Sequence, residues 1–133
     1  MVGISNADSD QIRLAQSILG DALVSVQNEF SPAFRSSRAE VDVCEELGLA
    51  FLPWSPLGGL NSAKGLADKF PAFKAVADQH GVSAQRVALA RELAQSERVI
   101  PIPGAKRPES ITDSAAAADL ELSPDELAAL NAD

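Results

Sequence analysis

The 133-residue sequence has no tyrosine, one cysteine, one histidine and one tryptophan. Each shortage excludes something. Without tyrosine there is no phenol to act as a proton donor, and a lone cysteine, Cys44, rules out an internal disulfide. Set in "EVDVCEELG", that cysteine reads as a small apolar side chain on a helix rather than a reactive thiol. No apolar run approaches the ~20 residues of a membrane span. Met1 leads into "VGISN" without the basic and long apolar regions of a signal peptide, so a cytoplasmic protein with no membrane partner is expected. Positive charge is scarce too: 11 Lys and Arg against 19 Asp and Glu leave a formal net charge of -8. Such a field repels nucleic-acid backbones and anionic lipid, so no nucleic-acid partner is expected and any anion site has to be local. No metal site is read from the sequence.

What remains is enough for one real core, since 46% of the residues are apolar and a chain of this size buries roughly two-thirds of its unfolded surface. A single domain over residues 1–133 is expected. Short apolar runs at Val2 to Ile4, Leu23 to Val26, Leu49 to Pro53 and Val99 to Ile102 read as strands, separated by segments spaced like amphipathic helices. Asp8 with Gln11, Ser37 with Glu40, and Ser123 with Glu126 behind Pro124 fit capping boxes, while Gly48 and Gly81 are helix stops. The third crossover is the longest, with helical patterns before Gly81 and again from Ser83 through Gln95. A last βα unit should open its helix near Pro108 and continue it through the alanines from Ala115 to Ala118. Four βα units with no candidate hairpin predict an α/β fold of parallel strands joined by right-handed crossovers, either an open sheet or half of an eight-stranded barrel.

In a parallel sheet all strand exits share one rim, the usual place for a ligand. Ser5 and Asn6 follow the first strand, Gln27 the second, Trp54 and Ser55 the third, and Gly104 with Lys106 the fourth. Ser5 and Asn6 either cap the next helix or face a ligand. Gln27, an amide ending an apolar strand, needs partners if buried and offers both donor and acceptor. Trp54, between two prolines in "PWSPLGG", is either core or an indole placed to stack on a flat ring. Gly58 and Gly59 would let backbone approach a ligand closely. "RVIPIPGAKRPESI" runs from a strand into a helix start, where free N–H groups, the positive dipole end, Lys106 and Arg107 would make a phosphate cradle; otherwise it is a solvated turn.

The pieces "VGISN", "VQNEFSP", "CEELGLAFLPWSPLGG", "HGVSAQRVALA", "VIPIPGAKRPESI" and "LSPDELAAL" resemble the aldo-keto reductases, NAD(P)H-dependent enzymes on a (β/α)8 TIM barrel, in that family's order. All of them match its second half. The resemblance therefore implies four βα units forming a half barrel, strands five to eight, the C-terminal half of an NADP-dependent oxidoreductase domain. It implies that Ser5, Asn6 and Gln27 hold the nicotinamide carboxamide and that Trp54 stacks on the nicotinamide face. Ser55 and Leu57 would run along the pyrophosphate. Gly104 to Ser110, including Lys106 and Arg107, would receive the adenosine ribose and its 2′-phosphate, with Asp113 and Ser114 at the adenine. NADP is the implied cofactor, with NAD as the alternative. Ser110 departs from the arginine, and Ser114 from the asparagine, that many members carry there, and Arg91 replaces a tryptophan common in the helix before strand eight.

The family's tyrosine, lysine, aspartate and histidine all lie in the first half of its barrel, so no catalytic residue is expected here. The lone histidine, His80, reads as a cation at a helix end. A positioned general acid is worth about 10² to 10⁴ in rate, so the isolated chain is expected to bind nucleotide weakly at best and to be a poor carbonyl reductase or none. A non-catalytic nucleotide-binding or regulatory module is the alternative. A half barrel exposes unpaired strand edges and apolar side chains, so the expected partners, besides nicotinamide dinucleotide, are the missing N-terminal half or a second copy of the chain.

Overall fold

A computed structural model describes residues 1–59 and 62–133. Three strands, β1 (Val2–Ser5), β2 (Leu23–Gln27) and β3 (Ala50–Phe51), form a parallel sheet in the order β1-β2-β3. Helix α1 (Ser9–Leu19) carries the chain from β1 to β2, and α2 (Arg38–Leu47) from β2 to β3. The long third crossover contains α3 (Leu66–Lys69), α4 (Pro71–His80) and α5 (Ala84–Leu93). The chain ends in α6 (Pro108–Ala115) and α7 (Pro124–Ala132).

The expected fourth strand is an extended segment and not a regular strand among the described residues. It lies beside β3: Phe51 N–H donates to the Arg98 carbonyl at 2.8 Å, Ile100 N–H to Phe51 at 2.8 Å and Ile102 N–H to Pro53 at 3.2 Å, with a single parallel bridge joining Phe51 and Val99. Residues 98, 100 and 102 thus face β3, and Val99, Pro101 and Pro103 face the free edge. Both prolines lack an N–H, so the outward row has almost no donors, the usual condition of a blunted edge strand. Regular pairing of β3 also stops early, yet Leu52 N–H reaches the Val26 carbonyl at 2.8 Å and Trp54 N–H that of Asn28 at 3.0 Å. The strand exits therefore stay aligned up to the rim.

Two of the three capping boxes form. Asp8 and Gln11 cap α1, and Ser123 and Glu126 cap α7, in each case with both reciprocal bonds made. Ser37 makes no side-chain cap bond at α2, and Glu40 instead accepts from Ser9 Oγ at 3.0 Å, tying α2 to α1. Gly48 and Gly81 end their helices as expected. Helix α6 begins at Pro108, and the alanines continue it as a 3-10 turn over Ala116–Asp119.

One apolar cluster lies between the sheet and its helices, with Ile12, Val26, Phe30, Val41, Cys44 and Phe51 fully buried. Phe30 and Phe51 meet edge to face at 6.1 Å. Burying one such ring contributes roughly 1.5–3 kcal/mol. The Cys44 thiol is pushed up to about 12 by burial, with Glu40 adding to it, so it stays protonated and inert. A second cluster, including Phe73, Val87 and Leu130, joins α4, α5 and α7. The end of α7 is tied down from the β2–α2 loop, where Arg35 donates to the carbonyls of Leu130 at 3.3 Å, Asn131 at 2.7 Å and Asp133 at 2.7 Å. One guanidinium so satisfies acceptors that the last helical turn leaves without partners. Asp133 Oδ2 in turn accepts the Ala72 N–H in the first turn of α4 at 2.8 Å. Among the described residues no helix is long and apolar enough to cross a membrane.

Candidate functional site

Adjacent strand exits are stitched together by backbone bonds. Asn6 N–H donates to the Gln27 carbonyl at 3.0 Å, and Ser5 Oγ donates to that same oxygen at 2.8 Å. Trp54 N–H reaches the Asn28 carbonyl, Glu29 and Trp54 form a parallel bridge, and Ile102 N–H reaches Pro53. The parallel sheet therefore delivers Ser5, Asn6, Gln27 and Trp54 to one rim. Across that rim the Trp54 indole Nε1 donates to Asn6 Oδ1 at 3.1 Å, linking the first exit to the third. Asn6 has φ 53°, a left-handed conformation that Asn tolerates better than most residues.

Beyond Trp54 the chain turns sharply. Ser55 has φ 51°, its carbonyl accepts the Gly58 N–H at 2.8 Å, and Gly58 and Gly59 follow with φ 77° and 91°. The left-handed backbone angle favours glycine at 58, and a Cβ there would crowd that of Ser62 at 3.2 Å. Leu57 is half-buried against the second cluster and against Leu89, Ala90 and Ala117, so most of its surface already packs on protein.

At the far end of the rim, Gly104 has open space around it, and Lys106 and Arg107 are exposed just before α6. Arg107 occupies the N-cap position without a side-chain cap bond; Pro108 has no N–H and the Ser110 N–H donates to the Arg107 carbonyl at 3.1 Å, so the Glu109 N–H is what the first turn of α6 offers beside the two cations, with the Glu109 carboxylate in the same turn. Ser110 and Ser114 are half-buried on this helix. Asp113 is engaged within the protein: Arg86 donates to its Oδ1 from Nε at 2.9 Å and Nη2 at 2.6 Å, and Ser83 Oγ donates to Oδ2. A carboxylate so neutralised anchors α6 to the start of α5.

An open cleft of about 290 Å³ lies beside Trp54, bordered by Asn6, Asp8, Asn28, Glu29, Phe34 and Glu40. Three carboxylates on its walls make it unsuited to phosphate, whereas the basic turn at Lys106 is suited. The rim is thus acidic at the indole end and basic at the α6 end. His80 lies off the rim: its Nε2 meets Glu126 Oε1 at 2.7 Å, joining α4 to α7, and no reacting group adjoins it.

Two residues escaped the sequence reading. The sequence points to Gln27 as the amide that needs partners, but the amide that is 6% exposed is its neighbour Asn28, which bonds both backbone groups of Ala7. Glu92 is the other. It is fully buried next to Arg91, and both its oxygens lack partners. Burial pushes its carboxyl well above the usual range, an effect that the Arg91 charge opposes; the Arg91 guanidinium, itself brought down to about 10 by burial and by Arg35, sits over the Phe30 ring at 5.5 Å.

The sequence profile of the Aldo/keto reductase family matches residues 1–132. An uncharacterized oxidoreductase of Schizosaccharomyces pombe is 32% identical over 98% of this chain and 40% of its own length. Pyridoxine 4-dehydrogenase of Escherichia coli is 33% identical over 98% of this chain and 43% of its own. Among solved structures, the thermostable aldo-keto reductase Tm1743 superposes with a TM-score of 0.84 at 26% identity, covering 98% of this chain and 47% of that one. An aldo-keto reductase of Bombyx mori in complex with NADP does so with 0.82 at 26%, covering 98% and 43%. The chain spans less than half the length of each of these relatives. The parallel α/β arrangement, its likeness to these reductases and a profile that runs from end to end show that the chain belongs to the aldo/keto reductase family.

Proposed function

We propose that this chain is the NADP(H)-holding part of a carbonyl reductase, a single domain corresponding to strands five to eight of the family's barrel. The observation that carries this reading is the Trp54–Asn6 bond, which sets an aromatic face and a carboxamide-matching group side by side at the exits of β1 and β3. In this reading Ser5, Asn6 and Gln27 bind the nicotinamide carboxamide, and the Trp54 indole stacks on the ring. The turn from Ser55 to Leu57 lies along the pyrophosphate. Gly104, Lys106, Arg107 and Ser110 take the adenosine ribose and its phosphate at the uncapped start of α6, while Asp113 and Ser114 border the adenine. Two exposed cations at that helix start favour the extra phosphate of NADP over NAD. Bound in this way, the cofactor supplies hydride for an aldehyde or ketone. The residues of this chain bind it, orient it and shield one face of its ring.

The proton for the nascent alkoxide comes from elsewhere, because the chain has no tyrosine and His80 is committed to Glu126. We assign it to a complementary half barrel that pairs with the open edge of β1. Support comes from exposed apolar residues on β1 and the helix that follows it, Val2, Leu14 and Ile18. Titration of NADPH fluorescence with the full chain and with Trp54→Ala tests the binding claim. We expect saturable binding that the substitution weakens roughly tenfold, the scale of one lost aromatic stack. Absence of binding, or equal binding by both proteins, refutes it. Carbonyl reduction that appears only after a tyrosine-bearing first-half polypeptide is added distinguishes a split reductase from a nucleotide-binding module without turnover.

A further inference from the structure

Asn28 follows the last residue of β2 and is 6% exposed. Its Oδ1 accepts the Ala7 N–H at 3.1 Å and its Nδ2 donates to the Ala7 carbonyl at 2.7 Å. One amide thus satisfies both backbone groups of a buried residue on the neighbouring exit. Its own carbonyl accepts the Trp54 N–H at 3.0 Å. Asn28 therefore holds both ends of the bridge across the rim. Its side chain fixes the turn carrying Asn6, and its backbone fixes the root of the indole that Asn6 receives.

This arrangement matters because the Asn6–Trp54 bond is exposed. An exposed hydrogen bond competes with water and orients an indole only when its acceptor is already in place. Asn6 is in a left-handed conformation, sparsely populated by a free chain, and Ala7 is the next residue along. We infer that Asn28 is a positioning residue for the nicotinamide end of the site, setting the plane of the Trp54 indole through Ala7 and Asn6 without touching the cofactor. Only a side chain with a donor and an acceptor in the fixed spacing of an amide serves both Ala7 groups: aspartate offers no donor when ionised, and an aliphatic residue offers neither.

The cofactor part of this inference rests on the reading of Trp54 given above, and the test separates the two. Trp54 is the only tryptophan, so its emission and its quenching by acrylamide report the indole directly, with no cofactor present. The full chain is compared with Asn28→Val, Asn28→Asp and a control, Val87→Ala, which is buried in the second cluster and not in the one that holds Ala7. For Asn28→Val we expect red-shifted Trp54 emission, easier quenching and NADPH binding about tenfold weaker. Asn28→Asp, which keeps the acceptor for the Ala7 N–H, should fall between. Val87→Ala should lose thermal stability and leave the indole signature unchanged. A folded Asn28 variant with wild-type emission and quenching overturns the inference, and so does an equal indole change in Val87→Ala. If Asn28→Val does not fold, Asn28→Asp decides. Failure of the wild-type chain to bind NADPH sinks the nucleotide reading, while the indole signature still judges Asn28.

Discussion

Replacing Glu92 with leucine should stabilise the protein. The carboxyl is fully buried on α5 and neither oxygen has a partner; Arg91 beside it donates instead to Asn131, from Nε at 2.9 Å. A buried polar group without a partner costs about 1–3 kcal/mol. Leucine matches the size of glutamate, so its gain on removing that cost should raise the thermal midpoint by about 3–10 °C in a domain of this length. The pH dependence identifies the cause. Burial raises the folded-state carboxyl above its unfolded value, so the folded protein binds more protons. Stability from this group is full below the unfolded value and is lost as pH rises toward and through the folded one. Urea titrations at pH 5, 7 and 9 should therefore show the advantage of Glu92→Leu widening with pH. Glu92→Gln, which keeps the polar atoms but cannot ionise, should remove the slope while giving little of the constant gain. A leucine variant less stable than wild type at every pH would refute the reasoning. It would mean that Glu92 balances the Arg91 charge and that their separation in the structure understates their coupling.

Arg35→Ala should free the last turn of α7, whose carbonyls lose their donor. Hydrogen exchange should rise over Pro124–Ala132 before it rises in the sheet, with a stability loss of about 1–2 kcal/mol, and unchanged exchange there would show that the Leu130 packing alone holds the helix. Pro101→Val restores a donor to the outward row of the fourth segment. By sedimentation velocity this should make the chain self-associate roughly 2- to 10-fold more tightly than the unsubstituted protein, the worth of one regained hydrogen bond, whereas no change would show that this edge is not an association surface.

Fold features set by neighbouring residues were legible. Asp8 with Gln11 and Ser123 with Glu126 form their capping boxes because each needs only residues three apart. Ser37 with Glu40 has the same spacing, but Ser9 of α1 claims the carboxylate, and a partner 31 positions away leaves no local trace. The fourth segment falls short of a regular strand for a related reason. "VIPIP" has the right apolar pattern, and the isoleucines do donate to β3, yet the prolines alternate with them onto the other edge and leave a single bridge in place of a ladder.

The site shows the same division between position and partner. Parallel connection alone brings Ser5, Asn6, Gln27 and Trp54 to one rim, so their neighbourhood could be read from strand order. Which amide is buried could not, because that depends on how the chain twists as it leaves β2: Gln27 ends half-buried, and Asn28 turns inward onto Ala7. Glu92 left no signal for the opposite reason. Val87 through Glu92 are all buried, so α5 has no solvent face in this stretch and its carboxylate does not mark a surface. A polar residue on a helix is read as exposed only while some side of that helix meets water, and α5 is packed among α3, α4, α6 and the turn that follows α6. The amide and the acid are thus two outcomes of one process. Close packing of the exits and of α5 takes a polar side chain out of water: at Asn28 the neighbouring backbone supplies both partners, and at Glu92 it supplies none.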